Sequence, residues 1–225
     1  MEFLKSPTLC PVSPIPGLFI SDRFAASSIS NIKSHNIVRI LSLVDPQEVP
    51  RFEGQAVEIK NIDIDDEPTV DILEHLQNAC DWIQEGLDLD PRDGQQAGVL
   101  VHCRQGISRS GSFVVAYLMR KLQIPYPEAL SLAEESRSLV CPNDGFHRQL
   151  QIWEQCKFNV YTPSSADNAK KEKPAYKAWK DERDDLVRAG EEAVNRARAS
   201  AMANAVARFG KKRQEALDRR PKEGA

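Results

Sequence analysis

Cysteine is sparse in this 225-residue sequence: five residues, Cys10, Cys80, Cys103, Cys141 and Cys156, odd in number and nowhere spaced as C-x-x-C. That argues against a disulfide framework and a structural zinc site, and for a reducing, intracellular compartment. Long apolar runs are missing as well. None approaches the roughly 18 residues of a membrane span, and no N-terminal apolar stretch reads as a secretory signal. No membrane association is expected. Nor is there an excess of one charge: 30 Lys and Arg stand against 33 Asp and Glu. With 41% hydrophobic residues the chain can bury a core, which argues against disorder throughout.

The charge is unevenly spread. Residues 1–163 hold 14 basic and 22 acidic residues, whereas residues 164–225 hold 16 and 11. An acidic body with a basic tail is expected. Prolines 7, 11 and 14 mark residues 1–14 as a flexible, Pro-rich arm, because proline lacks an N–H and fixes φ. The body is expected over 15–160. Tyr161 to Ser165 has linker composition, and 161–225 reads as linker plus an Ala, Glu, Lys and Arg-rich helical tail.

Within the body, Leu18 to Ile20 is a short apolar run, and Ala25 to His35 suits one short helix with Ile29 and Ile32 inward. Ile37 to Val44 is rich in β-branched residues, Ala56 to Ile64 alternates, and Val99 to Val101 is a short buried strand. Asp71 to Leu87 repeats apolar residues every three or four positions, with Asp71 as its cap. Ser110 to Leu122 is apolar nearly all round and predicts a central buried helix; Pro127 to Ser136 and Asn143 to Val160 read as two more. Strands alternating with helices predict an α/β fold, a central mixed, mostly parallel sheet flanked by helices, with a charged helical C-terminal extension.

The chemistry is carried by Val99-Leu100-Val101-His102-Cys103-Arg104-Gln105-Gly106-Ile107-Ser108-Arg109-Ser110-Gly111. A buried strand delivers a cysteine into a short glycine-containing loop that closes on a helix. Loop N–H groups and the positive helix end make a concave anion site, and such a field favours thiolate over thiol. Arg109 supplies a planar fork for two phosphate oxygens. A Walker-type cradle is excluded, since the loop has no lysine.

This segment resembles the His-Cys-x5-Arg signature of cysteine-based protein phosphatases. It matches the His-Cys-x-x-Gly-x-Ser-Arg-Ser form of their dual-specificity branch at every fixed position. Ile15 to Ile20 looks like that family's opening strand, Asp66 to Ile72 like its general-acid segment, and Pro142 to Phe146 with Gln149-Leu150 like its last core helix. The flavour is closest to the atypical YVH1-like members. Larger members of that group carry a Cys-rich zinc domain; the tail here has no cysteine.

The resemblance implies a tyrosine phosphatase-like fold and hydrolysis of phosphate monoesters on phosphoproteins, on phosphotyrosine and also phosphoserine or phosphothreonine. Cys103 would be the nucleophile, Arg109 the phosphate ligand, and Ser110 the group that stabilises the departing thiolate. Arg104, Gln105, Gly106, Ile107 and Ser108 would line the phosphate site. No metal or cofactor is implied. For the general acid Asp65, Asp66 and Asp71 compete. Asp66 holds the first position of the family's acid segment; Asp71 is better explained as a helix cap. His102 reads as a support of the loop, Cys80 as core, and Cys141 as lying near the site. The competing reading is a phosphopeptide-binding scaffold with low turnover. The tail reads as a solvated helix that Gly210 breaks, with a docking helix for a protein partner as the alternative. Its basic pairs, Lys211-Lys212-Arg213 and Arg219-Arg220, are a weak signal, and a nucleic-acid partner is not expected.

Overall fold

A computed structural model describes residues 8–54, 56–90, 95–162 and 170–218. Residues 1–7 of the expected arm, residues 91–94, residues 163–165 of the expected linker and the Arg219-Arg220 pair lie outside the described residues. Five strands form the main sheet: β1 (Cys10–Pro11), β2 (Leu18–Ser21), β3 (Ile37–Ser42), β4 (Glu58–Asn61) and β5 (Gly98–His102). Their order is β1-β2-β5-β3-β4, so the last strand in sequence lies in the middle. β1 pairs antiparallel with β2, and the remaining pairs are parallel. The sheet is therefore mixed and mostly parallel, as the alternation of strands and helices predicts.

Side-chain alternation along the strands supplies two apolar faces. Ile40 and Leu100 pack with Ala25, Ala26 and Ile32 from two short helices, α1 (Arg23–Ala26) and α2 (Ile29–Ser34). Leu41, Val99 and Val101 join the larger core on the other face. That core is covered by α3 (Leu73–Leu87), α4 (Arg109–Leu122), α5 (Tyr126–Ser136) and α6 (Asp144–Gln155). Every residue of α4 from Ser110 to Met119 is buried. No helix among the described residues is long and apolar enough to cross a membrane.

Several expectations need correction. From Thr8 onward the Pro-rich segment is not a flexible arm: β1 pairs with β2, and Leu9, Val12 and Ile15 are buried. Pro11 fits there because β1 is the sheet edge, where a missing N–H costs no ladder bond. The single helix expected over Ala25–His35 is split into α1 and α2. The Asp22 carboxylate caps the first by accepting from Ala25 N, and the Ser28 hydroxyl caps the second by accepting from Asn31 N. Ile29 is accordingly exposed, while Ile32 is inward. Only Glu58–Asn61 of the expected Ala56–Ile64 strand pairs, although Ile62 and Ile64 are still buried. The helix expected to run to Val160 stops at Gln155, and Lys157 and Phe158 follow in the left-handed region.

The tail departs furthest from a solvated helix. Tyr161–Thr162 (β6) pairs with Lys171–Glu172 (β7), and two helices follow, α7 (Pro174–Arg188) and α8 (Glu191–Asp218). Tyr176 and Trp179 of α7 are buried in the same core as Trp153 and Leu73. The two rings stack with centroids 6.2 Å apart. The break between the helices is at Gly190, with φ +95°, and not at Gly210, which α8 passes through. A positive φ at the helix end suits glycine, whereas a glycine inside a run of alanines and charged residues only lowers propensity.

Candidate active site

β5 ends at His102 and delivers Cys103, 2% exposed, to the carboxyl edge of the central strand. In an α/β sheet that edge is where ligands are bound. His102 is fully buried behind it. Its Nδ1 faces the Cys103 carbonyl oxygen at 3.3 Å, which can only accept, so Nδ1 carries the proton. Nε2 then accepts from the Ser42 hydroxyl at 2.7 Å. Burial pushes the His102 pKa down to about 4, so the ring is neutral at ordinary pH. This fits a support of the loop.

The loop 103–109 is pinned from outside through its carbonyls. Arg137, just past the end of α5, donates from Nε to the Gly106 carbonyl at 2.8 Å and from a terminal nitrogen to the Gln105 carbonyl at 3.1 Å. Cys141 N donates to the Ile107 carbonyl at 3.2 Å. In a planar trans peptide the following N–H points the opposite way. Fixing three carbonyls outward therefore turns the N–H groups of Gly106, Ile107 and Ser108 inward. Gly106 N indeed lies 3.2 Å from Cys103 Sγ. A glycine is required at 106: φ is +68°, and a Cβ would sit 2.6 Å from the Ser21 carbonyl carbon.

Ser110, fully buried in the first turn of α4, places its hydroxyl 3.2 Å from Cys103 Sγ. Arg109 donates from one terminal nitrogen to the Ile64 carbonyl at 3.1 Å. Its Nε is buried without a hydrogen-bond partner among the described residues. A buried guanidinium N–H without a hydrogen-bond partner, on the same loop as the cysteine and the inward N–H groups, suits a tetrahedral oxyanion.

Asp66 lies on the loop between β4 and α3. Its Oδ1 accepts from the Ser108 hydroxyl at 2.6 Å and from the Asn143 side-chain amide at 2.9 Å. Oδ2 lies 4.0 Å from Arg109 Nε. Asn143 also caps α6, its Oδ1 accepting from Phe146 N at 2.9 Å, and its own N–H donates to the Ser108 hydroxyl at 3.1 Å. Of the competing carboxylates, Asp65 is exposed, as Asp66 is, but it is Asp66 that accepts from Ser108 and Asn143. Asp71 is committed elsewhere: it accepts from Glu74 N at 3.3 Å, as a cap would, and from the Tyr176 hydroxyl at 2.7 Å. Burial raises its pKa, a penalty that the Tyr176 hydrogen bond offsets in part.

Cys103, Arg109, Ser110, Gly106, Ser108 and Asp66 are thus brought together. Arg104 is not turned to the same task. Its guanidinium grips Glu48 at 2.6 and 3.1 Å, an acid that also pairs with Arg23 at 2.6 Å. Gln105 is exposed and contributes its carbonyl to Arg137; Ile107 is half-buried. Cys141 adjoins the loop through its backbone, while its side chain helps line a separate cavity of about 260 Å³ beside Arg208. Arg137 and Glu48 carry no signal in sequence, since each is a single charged residue far along the chain from the loop it holds. Asn143 does carry a sequence signal: it lies in the Pro142 to Phe146 segment of the family resemblance and opens the expected helix.

Residues 18–156 match the family described as the dual specificity phosphatase catalytic domain. The dual specificity protein phosphatase MPK-4 of Drosophila melanogaster is 37% identical over 147 residues, 64% of this chain and 36% of that protein. The tyrosine-protein phosphatase YVH1 of Saccharomyces cerevisiae is 31% identical over 157 residues, 64% of this chain and 41% of that protein. The match thus spans well under half the length of these curated relatives. Among solved structures, the Yvh1 phosphatase domain of Chaetomium thermophilum is 34% identical, with a TM-score of 0.60. The match covers 68% of this chain and 99% of that one.

Proposed function

Since the chain belongs to the dual specificity phosphatase family, we propose that it hydrolyses phosphate monoesters on phosphoproteins through a phosphocysteine on Cys103. The observation that carries this reading is the gathering of four groups on the 103–109 loop and the first turn of α4. They are Sγ of Cys103, the Gly106 N–H and Ser110 hydroxyl each 3.2 Å from it, and the unpaired Nε of Arg109.

The Cys103 thiolate attacks phosphorus while the ester P–O bond breaks. Loop N–H groups and the Arg109 fork take up the charge on the equatorial oxygens. Asp66, protonated, gives its proton to the leaving alkoxide or phenoxide. Two donors already occupy its Oδ1, which leaves Oδ2 to carry that proton. In the second step water attacks the phosphocysteine and Asp66 takes a proton from it. The P–S bond breaks, and the departing thiolate is stabilised by a hydrogen bond from the Ser110 hydroxyl, which keeps its proton. Arg104 would act at the rim through its pair with Glu48, and Gln105, Gly106, Ile107 and Ser108 through backbone N–H groups. Phosphotyrosine is the first substrate class, with phosphoserine and phosphothreonine beside it. A scaffold that only binds phosphopeptides is not favoured, because binding has no use for Cys103, Ser110 and Asp66 together.

The test is hydrolysis of an aryl phosphate by the reduced protein with chelator present. Cys103→Ser is expected to abolish turnover, and Asp66→Ala to lower it by about 10²- to 10⁴-fold. Full activity in Cys103→Ser, or no turnover by wild type, overturns the proposal.

A further inference from the structure

We propose that α8 is a strap that positions the general-acid loop, and that Arg198 is the positioning residue through which it acts. The inference rests on the phosphatase reading. Three cations on α8 are spaced so that they share one face, within about a quarter turn at 3.6 residues per turn. Arg198 pairs with Glu67 at 2.6 Å. Arg208 pairs with Asp144 at 2.6 Å and donates to the Pro142 carbonyl at 3.0 Å. Lys212 pairs with Glu134 and donates to the Val140 carbonyl at 2.7 Å.

The partners are not scattered over the surface. Glu67 is the residue after Asp66. Pro142 and Asp144 flank Asn143, whose amide donates to Asp66 Oδ1. Both supports of the acid, its own loop and the turn before α6, are therefore tied to one helix. The loop is seated on the same turn: a Cβ on Gly145 would overlap the Pro68 backbone. Apolar burial holds α8 down only in part, with Phe209 half-buried beside the cations. Ala201 is buried on the inner face, but Met202 and Val206 are 73% and 67% exposed. The α8 ion pairs, with side chains about a third exposed, are weakened by salt.

The experiment uses the full chain and compares two aryl phosphates. One, p-nitrophenyl phosphate, has a good leaving group that needs little protonation; the other, phenyl phosphate, needs the acid. Arg198→Gln and Glu67→Gln are each expected to lower kcat/KM for phenyl phosphate about two- to fivefold. The change with the nitrophenyl ester is expected to be smaller, and the double variant no worse than either single one. Raising salt from about 0.05 to about 0.5 M is expected to lower the wild-type phenyl phosphate rate and to leave Arg198→Gln flatter. A ratio of the two rates unchanged in both single variants overturns the strap. If wild type turns over neither ester, it is the phosphatase reading that fails. Amide hydrogen exchange over residues 64–68 then decides the strap separately: faster exchange in Arg198→Gln supports it, and unchanged exchange overturns it.

Discussion

The side-chain amide of Asn143 donates to the Asp66 carboxylate at 2.9 Å, across 77 residues of sequence. The same residue caps α6 and steadies the Ser108 hydroxyl that Asp66 also accepts. One side chain thus fixes both the acid and the loop beside it.

Asn143→Ala removes that tie and the cap together. The expected cost is about 1 kcal/mol in urea unfolding, from the lost cap. A further fall of about tenfold in kcat is expected for a substrate with a poor leaving group, from looser placement of the acid. Comparing Asn143→Ala with Asn143→Asp separates the two: Asp retains a cap acceptor but cannot donate to Asp66.

Arg137→Met frees the carbonyls of Gln105 and Gly106 while keeping much of the apolar stem. Inward N–H groups then lose their fixed orientation. Tungstate or phosphate is expected to bind about tenfold more weakly, the worth of one charge-assisted hydrogen bond. Isothermal titration measures this directly, and unchanged affinity would show that the loop holds its shape without Arg137.

His102 sets a pH dependence of stability. Its folded pKa is near 4, below the value of about 6.5 in an unfolded chain. Between those values the unfolded state binds a proton that the folded state refuses, so unfolding free energy rises with pH. The contribution is complete above about pH 6.5 and is lost as pH falls towards 4, to the extent of about 3 kcal/mol. Urea midpoints at pH 7 and pH 5 are expected to differ in wild type and to differ less in His102→Gln, which has no ring to titrate.

Trp179→Ala empties a site that the tail fills in the core. The expected loss is about 3 kcal/mol, seen as a lowered thermal midpoint. Leu186→Ala, at a 37% exposed position on the same helix, is expected to change it little.

What could be read from the sequence was local. The segment from His102 to Ser110 is contiguous, so its loop, nucleophile and helix start are legible together. The buried helix α4 declares itself by being apolar all round. Choosing Asp66 over Asp71 was only half legible, because the group that occupies Asp71 is Tyr176, 105 residues away. Arg137 and Glu48 were invisible for the same reason. A lone charged residue announces its charge and not its partner. The break at Gly190 in place of Gly210 shows the limit of propensity: both are glycines, and only the turn of the chain requires a positive φ at one of them. The burial of the tail's aromatic pair was not legible, since a few apolar residues among many charges look alike whether they meet solvent or a notch in the body.

The burial of Tyr176 and Trp179 has a consequence for how the molecule is made. A ribosome releases the strands, the cysteine loop and α6 first, yet the core between α3 and α6 is completed by side chains that emerge later. At about 5–20 residues per second the nascent body waits some seconds with that notch open. The nascent chain is therefore most vulnerable to mispairing and proteolysis until residues 174–188 have emerged, and the docking of α7 closes that notch.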